Sequence, residues 1–190
     1  MLTFNEEKHE YRFNGEVIPG VSTLCDLILG KPYKDVPRHI LENAADFGTN
    51  VHLAIEYYNE YGLKKNLPPA QEHCLNEWIS LKEKHKVQII ESEKIVHYNG
   101  LFAGTLDARA IFKNKRYIID YKTSAAMNNE RYSLQSSLYR LCEGWDSVDG
   151  ILIAWLPKRS YGQLIELPSW EYEKLIESLN GVFHGNILTN

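Results

Sequence analysis

The chain has 190 residues, 44% of them apolar and 24% charged, and carries a formal net charge of −4. A chain of this length buries roughly 70% of its unfolded surface, so it builds a core without a disulfide or metal staple, and its composition argues against a disordered or scaffold-only protein. The longest unbroken apolar run is the six residues 151–156, against the ~20 of a membrane-spanning helix, and the negative total makes a polyanion such as nucleic acid an awkward partner.

The pattern along the chain predicts one domain over residues 1–190. Residues 10–20, EYRFNGEVIPG, alternate Tyr11 and Phe13 with polar neighbours and turn at Asn14-Gly15, a hairpin signature. A helix follows over VSTLCDLIL with Ser22 as its expected cap, and Gly30, Pro32 and Pro37 then break the chain. Apolar residues at helical spacing over 38–61 predict two helices joined near Phe47-Gly48. Pro68-Pro69 opens another helix reaching about residue 86, with Leu75, Trp78, Ile79 and Leu81 on its apolar side. Three β-branched and aromatic segments come next, separated by Asn99-Gly100 and Lys113-Asn114-Lys115, which predicts a three-stranded antiparallel meander. A helix over about 129–142 presents Leu134, Leu138 and Leu141. The run ILIAWL predicts a strand buried on both faces. A strand over 163–167 and a helix over 168–183 complete an α/β fold with a mixed sheet between helices.

Cys25, Cys74 and Cys142 are isolated from one another, with no CxxC spacing, and are expected to fill apolar space. The N-terminal residues MLTFNEEKHE lack the basic start and apolar stretch of a secretory signal, so a reducing cytoplasm is expected.

Along the strand ending in Asp120-Tyr121-Lys122, alternation puts Asp120 and Lys122 on one face, two residues apart. Folding the preceding strand back about Asn114 brings Asp107 near Asp120. Two carboxylates on adjacent strands with a lysine alongside make a hard oxygen site suited to Mg²⁺ or Mn²⁺. The competing reading is a solvated strand-end pair of charges.

The order of motifs decides between them. Gly104-Thr105-Leu106-Asp107, then 12 residues, then Asp120-Tyr121-Lys122, followed by Gln135 and Tyr139 at i, i+4 on a helix, resembles the PD-(D/E)XK nuclease superfamily. The upstream Gly48-Thr49-Asn50-Val51-His52 narrows the resemblance to the RecB-type and phage exonuclease branch, and the EYRFNGEVIPGVSTL opening is similar to phage-encoded members. The resemblance covers residues 10–160, with the motif-bearing core at about 38–160. It implies a restriction-endonuclease-like core: a central mixed β-sheet, the meander plus a further strand, flanked by helices.

The resemblance further implies Asp107, Asp120 and Lys122 as the catalytic set. Asp107, Asp120, His52 and the backbone carbonyl of Tyr121 would hold one or two Mg²⁺ or Mn²⁺ ions. Lys122 would orient or deprotonate water or offset phosphate charge, with its pKa lowered by the neighbouring cation. Gln135 and Tyr139 would line the site and position the substrate backbone. Arg131, one turn earlier on that helix, is a candidate phosphate contact, and Glu93 and Glu56 are further acids able to approach the metal. With three scattered cysteines no iron–sulfur cluster is expected. The implied activity is a divalent-metal-dependent deoxyribonuclease, an exonuclease acting on DNA ends in recombination, repair or phage DNA processing. Its implied partners are DNA and a recombination or single-strand-binding protein. An endonuclease or nickase on the same scaffold, and a DNA- or partner-binding module without catalysis, are the competing functions.

Charge distribution qualifies the negative total. Residues 82–122 hold nine Lys or Arg against five Asp or Glu, while the remainder holds twelve against twenty. The basic excess thus falls in the segment that carries Asp107 and Asp120.

Overall fold

A computed structural model describes residues 1–6 and 8–185; Glu7 and the last five residues of the expected 1–190 domain lie outside the described residues. The N-terminal segment forms a small antiparallel sheet of β1 (Leu2–Asn5), β2 (Glu10–Phe13) and β3 (Glu16–Ile18). The β2–β3 turn sits at Asn14 and Gly15, with φ of 52° and 89°, the left-handed pair that a tight two-residue hairpin requires. Strand β1 was not legible from so short a segment; it is held by Phe4 stacking on Tyr11 with centroids 4.5 Å apart.

Helix α1 (Val21–Leu29) begins at Gly20 with no side-chain cap, not at Ser22. A tertiary contact sets its start: Gly20 forms a parallel bridge with Ala103, and Ala103 N donates to the Pro19 carbonyl at 3.1 Å. Helix α2 (Arg38–Tyr61) is one continuous helix where two were expected. A mid-helix glycine costs only about 1 kcal/mol, and burial of Val51, Ala54 and Ile55 just beyond Gly48 offsets it. Helix α3 (Pro69–His85) starts on its proline and buries Leu75, Trp78, Ile79 and Leu81, as the pattern predicted.

The second sheet has the order β4-β5-β6-β7-β8. Strands β4 (Gln88–Tyr98), β5 (Phe102–Phe112) and β6 (Lys115–Lys122) form the predicted meander. Its turns place Asn99-Gly100 and Lys113-Asn114 at positive φ. Helix α4 (Asn129–Glu143) and a short 3₁₀ turn (Trp145–Ser147) cross over to β7 (Gly150–Trp155), which runs parallel to β6. Strand β8 (Gln163–Leu167) is antiparallel to β7, and α5 (Tyr172–His184) begins four residues after the expected position 168.

The sheet has a core on each face. On one, Val51, Ile55, Leu75 and Trp78 of α2 and α3 pack on Ala108, Ala110, Leu152 and Ala154. On the other, Leu24, Leu134, Leu138 and Leu175 of α1, α4 and α5 cover Phe102, Leu106 and Ile118. Strand β7 is buried on both sides, which is why its sequence is continuously apolar.

One interruption in the sheet positions the site. The β5–β6 ladder stops at Ala108–Ile119, yet β5 stays paired with β4 as far as Phe102, and β6 with β7 as far as Lys122. Gly20 takes up the vacated edge of β5 at Ala103.

Candidate active site

Continuing the two registers across this interruption aligns Glu93, Asp107 and Asp120 in one row on β4, β5 and β6. Neither pair in the row belongs to the ladder. Asp107 Oδ2 instead accepts the backbone N–H of Tyr121 at 2.7 Å, tying the end of β6 to the β5 side chain. Glu93 sits at φ 49°, a left-handed conformation that costs a non-glycine residue about 1–3 kcal/mol. That strain falls on the residue whose carboxylate joins the cluster.

Helix α2 contributes His52. Its Nε2 lies 2.9 Å from the Tyr121 carbonyl oxygen and its Nδ1 lies 3.4 Å from Asp107 Oδ1. The carbonyl is held in place from behind, because the buried Tyr121 ring packs on Trp78 with centroids 4.8 Å apart and its hydroxyl accepts from Asn59 at 3.1 Å. On the other side Lys122 Nζ lies 2.6 Å from Asp120 Oδ2 and donates to Gln135 Oε1 at 3.0 Å. This ammonium is the one polar contact of the buried Asp120 Oδ2 among the described residues. Tyr139 donates to the Thr105 carbonyl at 2.8 Å. Gly104 permits this approach, since a Cβ there would lie 2.8 Å from the Tyr139 ring.

Crowded acids dominate the electrostatics. Burial, with the Asp107 charge beside it, raises Glu93 to about 7. Burial also raises Asp120 to about 6, with Asp107 adding to the shift and Lys122 opposing it. Asp107 stays below its ordinary value: burial pushes its pKa up, but His52, Lys122 and the Tyr121 N–H together outweigh that. His52 is raised to about 9, burial opposing and the Asp107 carboxylate prevailing. Lys122 is likewise held above its ordinary value by Asp120 and Asp107 despite burial. The lowering expected of a lysine beside a cation is thus the reverse of what these carboxylates alone impose.

His52, Glu93 and Asp107 each offer a ligand atom, and these atoms all lie within 4.8 Å of one another. The three form a group able to hold a divalent cation. The crowding of the carboxylates and the elevated pKa of Glu93 mark a cluster that positive charge would relieve. Asp120, also expected as a ligand, is outside this trio, and its Oδ2 lies 2.6 Å from Lys122 Nζ.

The remaining candidates divide. Gln135 and Tyr139 line the same cavity, of about 340 Å³, as Asp107, Asp120 and Lys122. Arg131 does not line it; it pairs with Asp26 of α1 and donates to the Gly30 carbonyl at 3.3 Å. Glu56 faces a separate recess beside Asn59 and Glu91, although its charge adds to the rise at Glu93. His9, Tyr11, Ser22 and Thr23 also line the cavity and were not expected at the site from the sequence. Tyr11 reaches it through a 3.0 Å hydrogen bond with Thr105 Oγ1. Long-range docking of the N-terminal sheet and of α1 on β5 brings these residues there, and no local pattern encodes those contacts.

No family model matches the chain, and no curated protein matches it. Among solved structures it is similar to a protein described as SSO0001, at 14% identity and a TM-score of 0.39, covering 86% of this chain and 83% of the other. It is also similar to a phage-related exonuclease from Haemophilus somnus 129PT, at 13% identity and a TM-score of 0.41, covering 86% of this chain and 88% of the other. Among the described residues no helix is long and apolar enough to cross a membrane.

Proposed function

We propose that the protein is a divalent-metal-dependent deoxyribonuclease, an exonuclease that acts on DNA ends in recombination, repair or phage DNA processing in the cytoplasm. The observation that carries this reading is the row of Glu93, Asp107 and Asp120 on three adjacent strands, with His52 against Asp107 and Lys122 against Asp120. The motif order in the sequence supports it independently.

His52, Glu93 and Asp107 would hold the ion, with the Tyr121 carbonyl and Asp120 beside them. A bound Mg²⁺ or Mn²⁺ supplies Lewis-acid polarisation of the phosphodiester and a more acidic water. The protein's own groups do the rest. Lys122, kept as an ammonium by two carboxylates and held by Gln135, offsets charge on the phosphoryl oxygens. Tyr139 fixes the β5 segment that carries Asp107 through the Thr105 carbonyl. His52 donates to its neighbours in its charged form and must release its proton before it can act as a ligand. On this reading the partners are DNA and a recombination or single-strand-binding protein.

The test is hydrolysis of end-labelled linear DNA and of covalently closed circular DNA with Mg²⁺ or Mn²⁺, using Asp120→Asn as control. Wild-type protein is expected to degrade the linear substrate, to spare the closed circle, and to lose activity with the substitution. Nicking of the circle at a similar rate overturns the exonuclease assignment, and equal inertness of wild type and variant overturns the enzyme.

A further inference from the structure

The candidate site opens on a second, larger cavity. Its volume is about 810 Å³, and it shares His52 and Lys122 with the carboxylate cavity. It lies between the start of α2 and the segments that follow β6 and β7. The two walls differ in chemistry. One is apolar: Leu41, Ala44 and Ala45, spaced i, i+3, i+4 on α2, with Tyr33 from the preceding loop. Residues 38–46 of α2 are all exposed, and Tyr33 is 54% exposed, so this wall has no partner among the described residues. The other wall carries Lys158 and Arg159, both exposed and neither in an ion pair among the described residues. Lys158 Nζ sits 3.9 Å above the Phe47 ring at the floor of α2.

We infer that this cleft takes a single unpaired nucleic-acid strand and leads it to the carboxylates, with bases against Tyr33, Leu41 and Ala44 and phosphates on Lys158 and Arg159. The inference rests on the nuclease reading and names its substrate class. Three observations favour a strand over other occupants. An aromatic and aliphatic wall facing a cationic one matches the alternation of base face and phosphate in unpaired nucleotides. The cleft runs directly into His52 and Lys122, where a phosphodiester has to arrive. A cavity within the roughly 300–1,000 Å³ range of small-molecule pockets encloses a nucleotide or two but not a duplex.

Binding of a fluorescein-labelled single-stranded oligodeoxynucleotide and of a blunt hairpin duplex is measured by anisotropy with Mn²⁺ across a salt series. The Asp120→Asn background keeps hydrolysis from consuming the probe. Tyr33→Ala is expected to weaken strand binding about tenfold. The double change Lys158→Ala, Arg159→Ala is expected to flatten the slope of log K against log salt by about 1.4, the value for two single-strand phosphates. A melting curve for each variant reports that these exposed changes leave the fold intact. Strand binding unchanged in both variants, or a hairpin bound as tightly as the strand, overturns the inference. Intact strand binding together with an oligomer that Tyr33→Ala converts to monomer also overturns it and makes the cleft an interface between copies. Because binding is read apart from hydrolysis, a protein that binds as expected but cuts no DNA refutes the nuclease and leaves the cleft standing.

Discussion

Two charged clusters occupy the same strands a few residues apart and are built in opposite ways. In the first, Glu91, Lys94, Arg109 and Glu143 form a balanced set. Arg109 reaches Glu91 at 2.6 Å and Glu143 at 3.1 Å, and Lys94 reaches Glu143 at 3.3 Å. In the second, the three carboxylates of Glu93, Asp107 and Asp120 face Lys122 and His52, with a strained Glu93 backbone. The first lies over the paired β4–β5 segment just past its bulge, the second where the β5–β6 ladder has ended. Charges matched in number and sign are a structural device. Carboxylates crowded against one another hold unspent affinity for a cation, and that is how a ligand site differs from a salt-bridge network.

The largest effects should follow from changes to the second cluster. Asp107→Asn and Asp120→Asn are each expected to lower DNA hydrolysis about 10³-fold or more, and Lys122→Met about 10²–10⁴-fold, in a steady-state assay with Mn²⁺. Metal should stabilise the wild-type protein by about 2.7 kcal/mol at a hundredfold excess over Kd, a Tm rise of about 5–10 °C for a domain of this size. Scanning calorimetry of Asp107→Asn should show little of that rise. A full metal-dependent rise in Asp107→Asn would mean that the cation sits elsewhere and that the contrast between the clusters is wrong.

The sequence made the second cluster easier to see than the first. Asp107, Asp120 and Lys122 stand in a meander whose turns are marked by Asn99-Gly100 and Lys113-Asn114, so strand adjacency follows from local signals. Glu93 was visible only as an acid on the neighbouring strand; its alignment with Asp107 depends on a register that β4 reaches after a bulge between Ile89 and Glu91. Arg131 was placed by helical spacing, which cannot show that Asp26 of α1 would claim it. Part of the basic excess over residues 82–122 is consumed by local pairing. Lys94 and Arg109 are taken up by Glu91 and Glu143, and Lys82 by Asn59. Lys158 and Arg159, outside that segment, face the cleft instead. Long-range contacts decided each of these outcomes, and neither composition nor periodicity carries them. The single span of α2 is a milder case, in which burial of Val51, Ala54 and Ile55 overrode the local cost of Gly48.

A smaller, opposite effect is expected from the first cluster. Glu143 is the acid common to Lys94 and Arg109, and its side chain is only 9% exposed. Glu143→Gln removes the charge that both cations face and is expected to cost about 1–3 kcal/mol, seen as a lower midpoint in urea with unchanged m. Mn²⁺-dependent hydrolysis should stay within about twofold of wild type once both proteins are folded, because none of the four residues lines the cavity. Loss of activity without loss of stability would erase the distinction between a structural and a ligand-holding set.

The last effect reverses the sign of the stability change and separates the clusters most sharply. Glu93 is raised from an ordinary value near 4.5 to about 7, by burial first and the Asp107 charge next. The folded state therefore binds more protons at Glu93 than the unfolded chain between those values, and this group lowers stability progressively as pH rises from about 4.5 to about 7. Glu93→Gln removes that dependence. Without metal, the variant should match wild type near pH 4.5 and melt higher than wild type above pH 7. With Mn²⁺ the order should invert, since the wild-type carboxylate is then a ligand and the amide a poorer one. Thermal melts at the two pH values, with EDTA and with Mn²⁺, read all four states. A glutamine that destabilises the metal-free protein at pH 8 would show that Glu93 is held by its neighbours as the acids of the first cluster are, and that its left-handed backbone serves packing instead of coordination.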